Sequence, residues 1–322
     1  MAKINTVSGT ISSNQMGSTL MHEHMVYANP GWDVDSLCTH FELGELASIC
    51  AKALVKVKEH GVKTVVDATA PDMWRNVELD KIVSDKTGIN IICATGMFYE
   101  TGGMPAYWKF RGQALDIISE MYESFMRELT LGIGNSGVKA GAIKVGTGNG
   151  AISAYEEKVL KAAAKAQKET GVPIITHTEN GTMGPEQAAL LIGEGVNPHK
   201  IVIGHMCGNP NIEYQLNVIN RGSYAGFDRW GIDFFCPDSS RKTTILELLR
   251  LGHANHIVMS HDANAQIMGR PLVMPDFLQA LIVNWNYTHV FEHIIPQLLE
   301  AGVTAKQVDQ MLVDNPRDIF FG

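Results

Sequence analysis

The stretch Thr19-Leu20-Met21-His22-Glu23-His24-Met25 is the starting point for assigning the fold. Its apolar residues predict a short strand, and successive side chains on a strand point to opposite faces. His22 and His24 therefore share one face, while Glu23 points away from it. Two imidazoles on one face provide half of a site for a divalent metal. The alternative is a pair of surface histidines in a polar loop, and the rest of the chain has to decide between them.

Strand patterns and helix patterns alternate along the remaining sequence. Seven further apolar runs predict strands at 63–67, 89–95, 140–145, 172–176, 201–205, 224–228 and 256–262. Helical spacing of apolar residues predicts helices at 41–60, 77–87, 113–131, 154–170, 185–195, 212–221, 243–251, 290–300 and 304–312. Strict alternation of this kind implies a parallel sheet that is covered by helices.

Eight such units favour an α/β fold, a closed (β/α)₈ TIM barrel that carries its active site at the carboxyl ends of the strands. The alternative is an open, doubly wound sheet. It is disfavoured because the chain lacks a Gly-x-Gly-x-x-Gly motif after a first strand and lacks a P-loop. The alternation from Ile4 to Gln15 predicts a small hairpin before the barrel. We therefore expect one domain over 1–322, with the hairpin within 1–18 and the barrel over 19–322.

Composition excludes several classes of function. The 322 residues carry a net charge of −8 and no basic run, so nucleic-acid binding is not expected. No run reaches the ~18 apolar residues of a membrane span, and the polar start lacks the apolar core of a signal peptide. Five cysteines without a close pair indicate free thiols in a reducing compartment. A cytoplasmic protein that acts on a small molecule is expected.

Side chains that can bind a metal lie at or near the carboxyl ends of many of the predicted strands. They are His22 and His24 on the first strand, Lys144 on the fourth, His177 on the fifth, His205 on the sixth and Asp262 on the eighth. Taken singly, His177 is more typical of a hydrogen-bonded core histidine than of a ligand, His205 fits either role no better than evenly, and Asp262 is typical of a helix N-cap. Lys144 is costly to bury as a cation without a partner. Together the six predict a binuclear metal site.

Imidazole and carboxylate ligands suit Zn²⁺, Mn²⁺, Co²⁺ or Fe²⁺ better than Ca²⁺, and zinc is favoured. The Lys144 ammonium cannot itself bind a cation. It can take part only if its pKa falls, or if CO₂ converts it to a carbamate whose two oxygens bridge the metals.

The ordered set of motifs resembles the phosphotriesterase family of the amidohydrolase superfamily across essentially the whole chain. The matching pieces are His22-x-His24, Lys144 after Gly141-Ala142-Ile143, His177 between two threonines, His205 after Ile203-Gly204, and Ser260-His261-Asp262.

This resemblance implies a role for each residue. His22, His24 and Asp262 would hold the more buried metal, His177 and His205 would hold the more exposed one, and carboxylated Lys144 would bridge them. A hydroxide between the metals would be the nucleophile, and Asp262 would accept its proton. The family resemblance also suggests a homodimer.

Two segments resemble the lactonase branch of that family. The first is Gly226–Gly231, in which Asp228 and Arg229 precede Trp230. The second is Thr95–Tyr99, where the expected aromatic hydroxyl falls on Phe98 and Tyr99 lies next to it. The candidate substrate-binding residues are Phe98, Tyr99, Arg229, Trp230 and Trp285. Asp228 is a candidate for orienting a histidine ligand, and a surface salt bridge is the alternative role for Arg229.

The apolar residues of the eighth loop, from Ile267 to Phe277, indicate either a substrate pocket or a subunit interface. The resulting hypothesis is a binuclear metal-dependent hydrolase that cleaves a lactone or a carboxylic ester with an apolar portion and has promiscuous phosphotriesterase activity. One alternative is an organophosphate triesterase or amide hydrolase of the same family. The other is a non-catalytic barrel that binds a metal or ligand, which would have no need of the bridging Lys144.

Overall fold

The computed structural model describes residues 3–103 and 105–322. The chain begins with an antiparallel hairpin formed by β1 (Ile4–Thr6) and β2 (Gly9–Ile11), followed by helix α1 (Ser13–Met16). The hairpin is shorter than predicted, because Gln15 belongs to the helix. Its side-chain Oε1 accepts a hydrogen bond from Ser12 N (3.0 Å), which caps the helix start.

Nine parallel strands form the main sheet. They are β3 (Ser18–Tyr27), β4 (Val62–Asp67), β5 (Asn90–Gly96), β6 (Ala142–Thr147), β7 (Ile174–Thr178), β8 (Ile201–Ile203), β9 (Tyr224–Phe227), β10 (Ile257–Met259) and β11 (Asn264–Ile267). Neighbours pair in chain order from β3 to β10, and β11 pairs with the far side of β3. Because β10 and β11 are separated only by Ser260–Ala263, the sheet curls round on itself. The predicted barrel is confirmed.

Most of the helices cover the outside of the sheet, and short ones lie in the loops. They are α2 (Leu43–Glu59), α3 (Val77–Thr87), α4 (Ala106–Arg111), α5 (Ile117–Thr130), α6 (Ala154–Thr170), α7 (Gly184–Gly193), α8 (Ile212–Ile219), α9 (Asp238–Arg250), α10 (Asp276–Ala280), α11 (Ile295–Glu300), α12 (Ala305–Asp309) and α13 (Asn315–Phe321). Two wide π-type turns, Val290–Ile294 and Gln310–Asp314, lead directly into α11 and α13. None of the described helices is long and apolar enough to cross a lipid bilayer.

Some helix boundaries differ from the sequence-based expectation. Helix α9 starts at Asp238, whereas the sequence predicted a start near 243. The prediction missed the first turn because that turn is polar and carries no apolar periodicity. The C-terminal helical segment continues to Phe321 instead of ending at Leu312. Pro316 lacks an N–H, and the wide turn before it accommodates the missing hydrogen bond. The short helices α4 and α10 lie in loops and were not predicted.

Two apolar layers determine which end of the barrel is open for a site. A large core fills the space between the helices and the outer face of the sheet. A second cluster fills the inside of the barrel with residues such as Met21, Ile175 and Val258, and it packs against Met16 and Phe320 at the amino-terminal end. The barrel is therefore closed from below, and the six candidate metal-binding side chains lie at or beyond the carboxyl ends of the strands.

Candidate metal centre and its cavity

The six predicted ligands lie around one cavity at the carboxyl end of the barrel. His22 and His24 are carried by β3, Lys144 by β6 and His177 by β7. His205 and Asp262 follow β8 and β10, beyond the last residue of each strand. All six contribute to the wall of the same cavity, whose volume is about 410 Å³. The closed sheet thus brings together residues up to 240 positions apart, since Asp262 follows His22 by that interval.

An oxygen atom lies within 3.0 Å of one ring nitrogen in each of three histidines. His24 Nδ1 lies 2.7 Å from Thr69 Oγ1. The two carboxylate oxygens of Asp228 lie 3.0 Å from His205 Nδ1 and 2.9 Å from His22 Nδ1. Hydrogen bonds therefore hold His24 and His205 with the other ring nitrogen turned towards the cavity, as is typical of histidines that bind metals, whereas His22 Nδ1 faces Asp228 without hydrogen-bond geometry.

The Nε2 atoms of these three histidines all lie near the Asp262 carboxylate. Its carboxylate lies 3.0 Å from His24 Nε2, 3.6 Å from His22 Nε2 and 3.7 Å from His205 Nε2. One ligand atom from each of His22, His205 and Asp262 falls within 4.8 Å of the others. His205 Nε2 is buried and has no hydrogen-bond partner, so it has a free lone pair to donate. This donor set fits a divalent transition metal.

Unusual backbone conformations put two of these side chains in place. His205 (φ 60°) and Asp262 (φ 53°) both adopt the left-handed conformation, which is rare for residues other than glycine. Gly204 adds a close approach. A Cβ there would lie 2.1 Å from Thr176 O and 3.2 Å from the His22 ring. The site is therefore built at some cost in backbone strain.

Burial controls the protonation of the site. It lowers the pKa of Lys144 to about 8 and that of His177 to about 4. Burial alone would raise the pKa of Asp262, but neighbouring His205 and the Arg229 guanidinium hold it well below its usual range. Lys144 Nζ lies 2.6 Å from His22 Nε2 and forms no ion pair with any carboxylate among residues 3–103 and 105–322. The lysine is thus a buried amine without a counterion.

His177 has a neighbour that the sequence analysis did not single out. Its Nε2 lies 2.9 Å from Glu179 Oε2, and its ring stacks on Tyr99 with centroids 4.7 Å apart. The hydrogen bond to His177 lowers the pKa of Glu179. Glu179 was recognisable in principle, since it follows a strand histidine by two residues and so points to the same face.

The cavity walls above the polar floor are largely apolar. Phe98, Tyr99, Arg229 and Trp285 line them, as the sequence predicted for a pocket. Arg229 Nε donates to Asp262 Oδ2 (2.9 Å), so it forms a buried ion pair and not a surface salt bridge. Trp285 Nε1 donates to Asp262 O (3.0 Å). Further lining residues that the sequence did not indicate are Tyr27, Phe234, Phe235, Leu278 and Ile282.

Trp230 is a correction to the predicted pocket. Its side chain is completely buried and does not line the cavity. It packs beside Phe227 instead, with ring centroids 6.3 Å apart. The chain turns at Gly231 (φ 88°), where a Cβ would lie 2.3 Å from Asn284 O, and this turn directs the indole into the core.

The eighth loop contributes residues to the cavity wall and leaves other apolar residues exposed. Ile267, Leu272 and Met274 line the cavity, while Val273 and Phe277 project into solvent with exposed fractions of 93% and 68%. A pocket wall and an exposed apolar surface therefore occur on the same segment.

The sequence profile described as the phosphotriesterase family matches residues 2–320. The chain belongs to the phosphotriesterase family. An aryldialkylphosphatase from Saccharolobus solfataricus is 33% identical, with 97% of each chain covered. A phospho-furanose lactonase from Mycoplasmopsis synoviae is 31% identical over 98% of this chain and 90% of its own length. A crystal structure of a mutant of the PTE-like lactonase from Deinococcus radiodurans is 39% identical, with a TM-score of 0.96 over 98% of this chain and 99% of the other.

Membership of the phosphotriesterase family confirms the prediction of a hydrolase with a metal-dependent active site in a TIM barrel. The names of these relatives cover phosphate esters and lactones, so they do not by themselves select one substrate.

Proposed function

We propose that this member of the phosphotriesterase family hydrolyses a lactone or another carboxylic ester with an apolar portion. One observation carries the proposal: a cluster of metal-binding side chains forms the floor of a cavity whose walls are largely apolar. A small ester would bring its carbonyl to the floor and bury its apolar part against the walls.

We infer that two divalent metals bind at this floor. His22, His24 and Asp262 would hold one, His177 and His205 would hold the other, and a carbamate on Lys144 would bridge them. When bound, such ions lower the pKa of water and polarise the ester carbonyl. The buried Lys144 amine, which forms no ion pair among the described residues, supports carboxylation, because a carbamate would replace a costly ammonium with an anion between two cations. Nitrogen and carboxylate ligands favour zinc, with Mn²⁺, Co²⁺ and Fe²⁺ as alternatives.

Asp262 would accept the proton of the attacking water. Its low pKa keeps it ionised at neutral pH, and Arg229 and Trp285 hold its side chain and backbone. Asp228 would keep His22 and His205 in orientation through their Nδ1 atoms.

The cavity favours a neutral substrate. Among the described residues that line the cavity, the cationic side chains are Arg229, whose Nε donates to Asp262, and Lys144 at the floor, so the apolar wall suits a neutral group better than a phosphate. Phe98 and Tyr99 stand beside His177 and would contact the ester next to the reacting carbon. Slow cleavage of phosphotriesters is expected from the same nucleophile, and a principal triesterase or amidase activity is the second candidate.

We further propose that the protein is a cytoplasmic homodimer. The exposed apolar side chains of the eighth loop, among them Val273 and Phe277, support a subunit contact. Five buried free cysteines support a reducing compartment. Analytical ultracentrifugation of the wild-type protein tests the dimer.

The substrate proposal is tested by parallel kinetics on zinc-loaded protein. We expect kcat/KM to be highest for lactones with an apolar substituent, lower for aryl esters and lowest for phosphotriesters and amides. A phosphotriester or amide that exceeds every lactone would overturn the lactone assignment. Loss of all activities on chelation, with recovery on adding zinc, separates this enzyme from a binding barrel.

A further inference from the structure

We propose that Glu23 and His261 form a positioning pair that sets the conformation of Asp262 from the side of the barrel wall facing away from the cavity. The inference rests on the proposed function, in which Asp262 accepts a proton. Glu23 lies between His22 and His24 in the sequence, yet it is fully buried and does not line the cavity. Glu23 therefore does not contact a substrate, and its role has to be sought in the backbone around it.

The segment Ser260–Ala263 needs hydrogen-bond acceptors. Between β10 and β11 the chain leaves the strand conformation, because Asp262 has φ 53°. Asp262 N still donates to His22 O (3.1 Å). The two flanking amides turn to Glu23 instead: His261 N donates to Oε1 (2.9 Å) and Ala263 N donates to Oε2 (2.8 Å). One carboxylate thus holds the backbone on both sides of Asp262.

The imidazole of His261 completes the pair. Its Nδ1 lies 2.7 Å from Glu23 Oε1, and its Nε2 accepts from Val290 N (3.0 Å). A backbone N–H can only donate, so Nε2 is unprotonated and Nδ1 carries the hydrogen that points to Glu23. Both side chains are completely buried. The pair therefore connects strand β3 to the wide turn at Val290, before α11, through the residue next to Asp262.

Other contacts of Asp262 do not replace this clamp. Arg229 reaches its carboxylate and Trp285 reaches its carbonyl, but neither contacts the amides of His261 and Ala263. With Glu23 changed to glutamine, at least one of these buried amides would face an N–H₂ group. The backbone would then relax towards an ordinary φ and turn the Asp262 carboxylate out of place. Small displacements of this kind cost much rate and leave the apolar walls unchanged.

The test compares Glu23→Gln with Asn315→Ala, both as zinc-loaded full-length protein. Asn315 is a matched control because its Nδ2 clamps the opposite end of β10 through Ala254 O (2.7 Å) and Ile257 O (2.6 Å). We expect both variants to unfold at lower temperature. Only Glu23→Gln should lose kcat, by about tenfold or more with KM within about threefold, and should release zinc to a competing chelator more easily.

Two variants of His261 provide a second comparison. In His261→Asn the amide nitrogen stands near the position of Nδ1 and can still donate to Glu23, whereas in His261→Gln the side chain reaches towards Val290 instead. We expect the asparagine variant to retain more of kcat and of zinc affinity. Equal losses in the two variants would contradict the pairing with Glu23.

A crystal structure of Glu23→Gln provides a readout that is independent of activity. An unchanged left-handed Asp262, or a kcat within about threefold of wild type, would overturn the proposal. If wild-type protein neither binds zinc nor cleaves any ester, the proposed function fails, and the conformation of Asp262 in this variant still decides the positioning inference.

Discussion

At the scale of single residues, the buried Lys144 amine destabilises the metal-free protein. It is 1% exposed and forms no ion pair among the described residues, and burial lowers its pKa from 10.5 to about 8. The shift corresponds to a cost of up to about 3 kcal/mol for holding the ammonium in the folded state. Such a residue is kept at the expense of stability, as is common at functional sites.

Replacing Lys144 with methionine should therefore separate stability from metal binding. We expect Lys144→Met to raise the free energy of unfolding of chelated protein at pH 7 by up to about 3 kcal/mol, because the buried charge is removed. The same variant should bind fewer than two metals per chain. Urea unfolding and elemental analysis measure the two effects. A variant that is less stable than wild type when metal-free, or that keeps two metals, would contradict the role given to Lys144.

Asp262→Asn isolates the proton acceptor. The amide keeps an oxygen that faces the histidines but accepts protons poorly, so turnover should fall by about 10²–10⁴-fold while most of the metal is retained. Steady-state kinetics and metal content on the same sample measure this. Near-native turnover would exclude Asp262 as the base, and complete metal loss would leave only a ligand role.

Asp72 predicts a pH effect outside the metal centre. It accepts from Phe98 N at 3.0 Å, and burial raises its pKa from 3.8 to about 7. The folded state therefore binds more protons than the unfolded state between these values, and stability falls as pH rises from about 4 through 7. In Asp72→Asn that loss disappears. Its stability advantage over wild type should grow from pH 5 to pH 8, reaching at most about 4 kcal/mol in urea unfolding. The same difference at both pH values would show that Asp72 does not titrate in this range.

At the scale of elements, the pairing of β5 with β6 depends on Gly96. This residue has φ 120°, and a Cβ there would lie 1.8 Å from Lys144 O. The strands can approach only because the side chain is absent, and the same approach fixes the backbone of Lys144.

A pair of glycine variants tests this close approach. Gly9 has a similar φ of 123° but nothing within 4 Å of an added Cβ, so Gly9→Ala reports the conformational strain alone. We expect it to cost about 1–2 kcal/mol. Gly96→Ala adds a backbone clash and should cost more than about 3 kcal/mol in denaturant unfolding and also reduce metal content. Equal costs would mean that β6 can move aside.

At the scale of the whole molecule, the proposed metal centre would act as a cross-link at the point where the barrel closes. The candidate ligands come from β3, β6, β7 and the segments after β8 and β10, and the last of these segments joins the two edges of the sheet. A ligand that binds only the folded state stabilises it by mass action, by about 4 kcal/mol at a thousand times its Kd.

Removal of metal should therefore lower the melting temperature of the wild-type protein by several degrees, and zinc should restore it. Differential scanning calorimetry with and without chelator measures the shift. Lys144→Met is the control, and its two curves should lie closer together. Identical melting curves for chelated and zinc-loaded wild type would show that no metal links these strands.

Much of the architecture was predictable because it depends on local patterns. Runs such as 63–67 and 201–205 alternate with amphipathic helices, and eight such units have few ways to pack. Where the apolar periodicity was weak, the predicted helix boundaries were wrong. The polar first turn of α9 and the continuation past Pro316 depend on tertiary contacts and on a wide turn, and neither leaves an apolar period in the sequence.

The barrel, the family and the polar side chains at the strand ends could be predicted from the amino-acid pattern alone, because strand periodicity and residue type are local properties. The hydrogen-bond partners and the burial of those side chains could be read only from the folded structure. It joined Asp228 to both His22 and His205, buried Trp230 instead of exposing it to substrate, and turned Glu23 towards His261. The physical reason is that hydrogen-bond partners and burial depend on distances between residues remote in the chain, which are fixed only when the sheet closes.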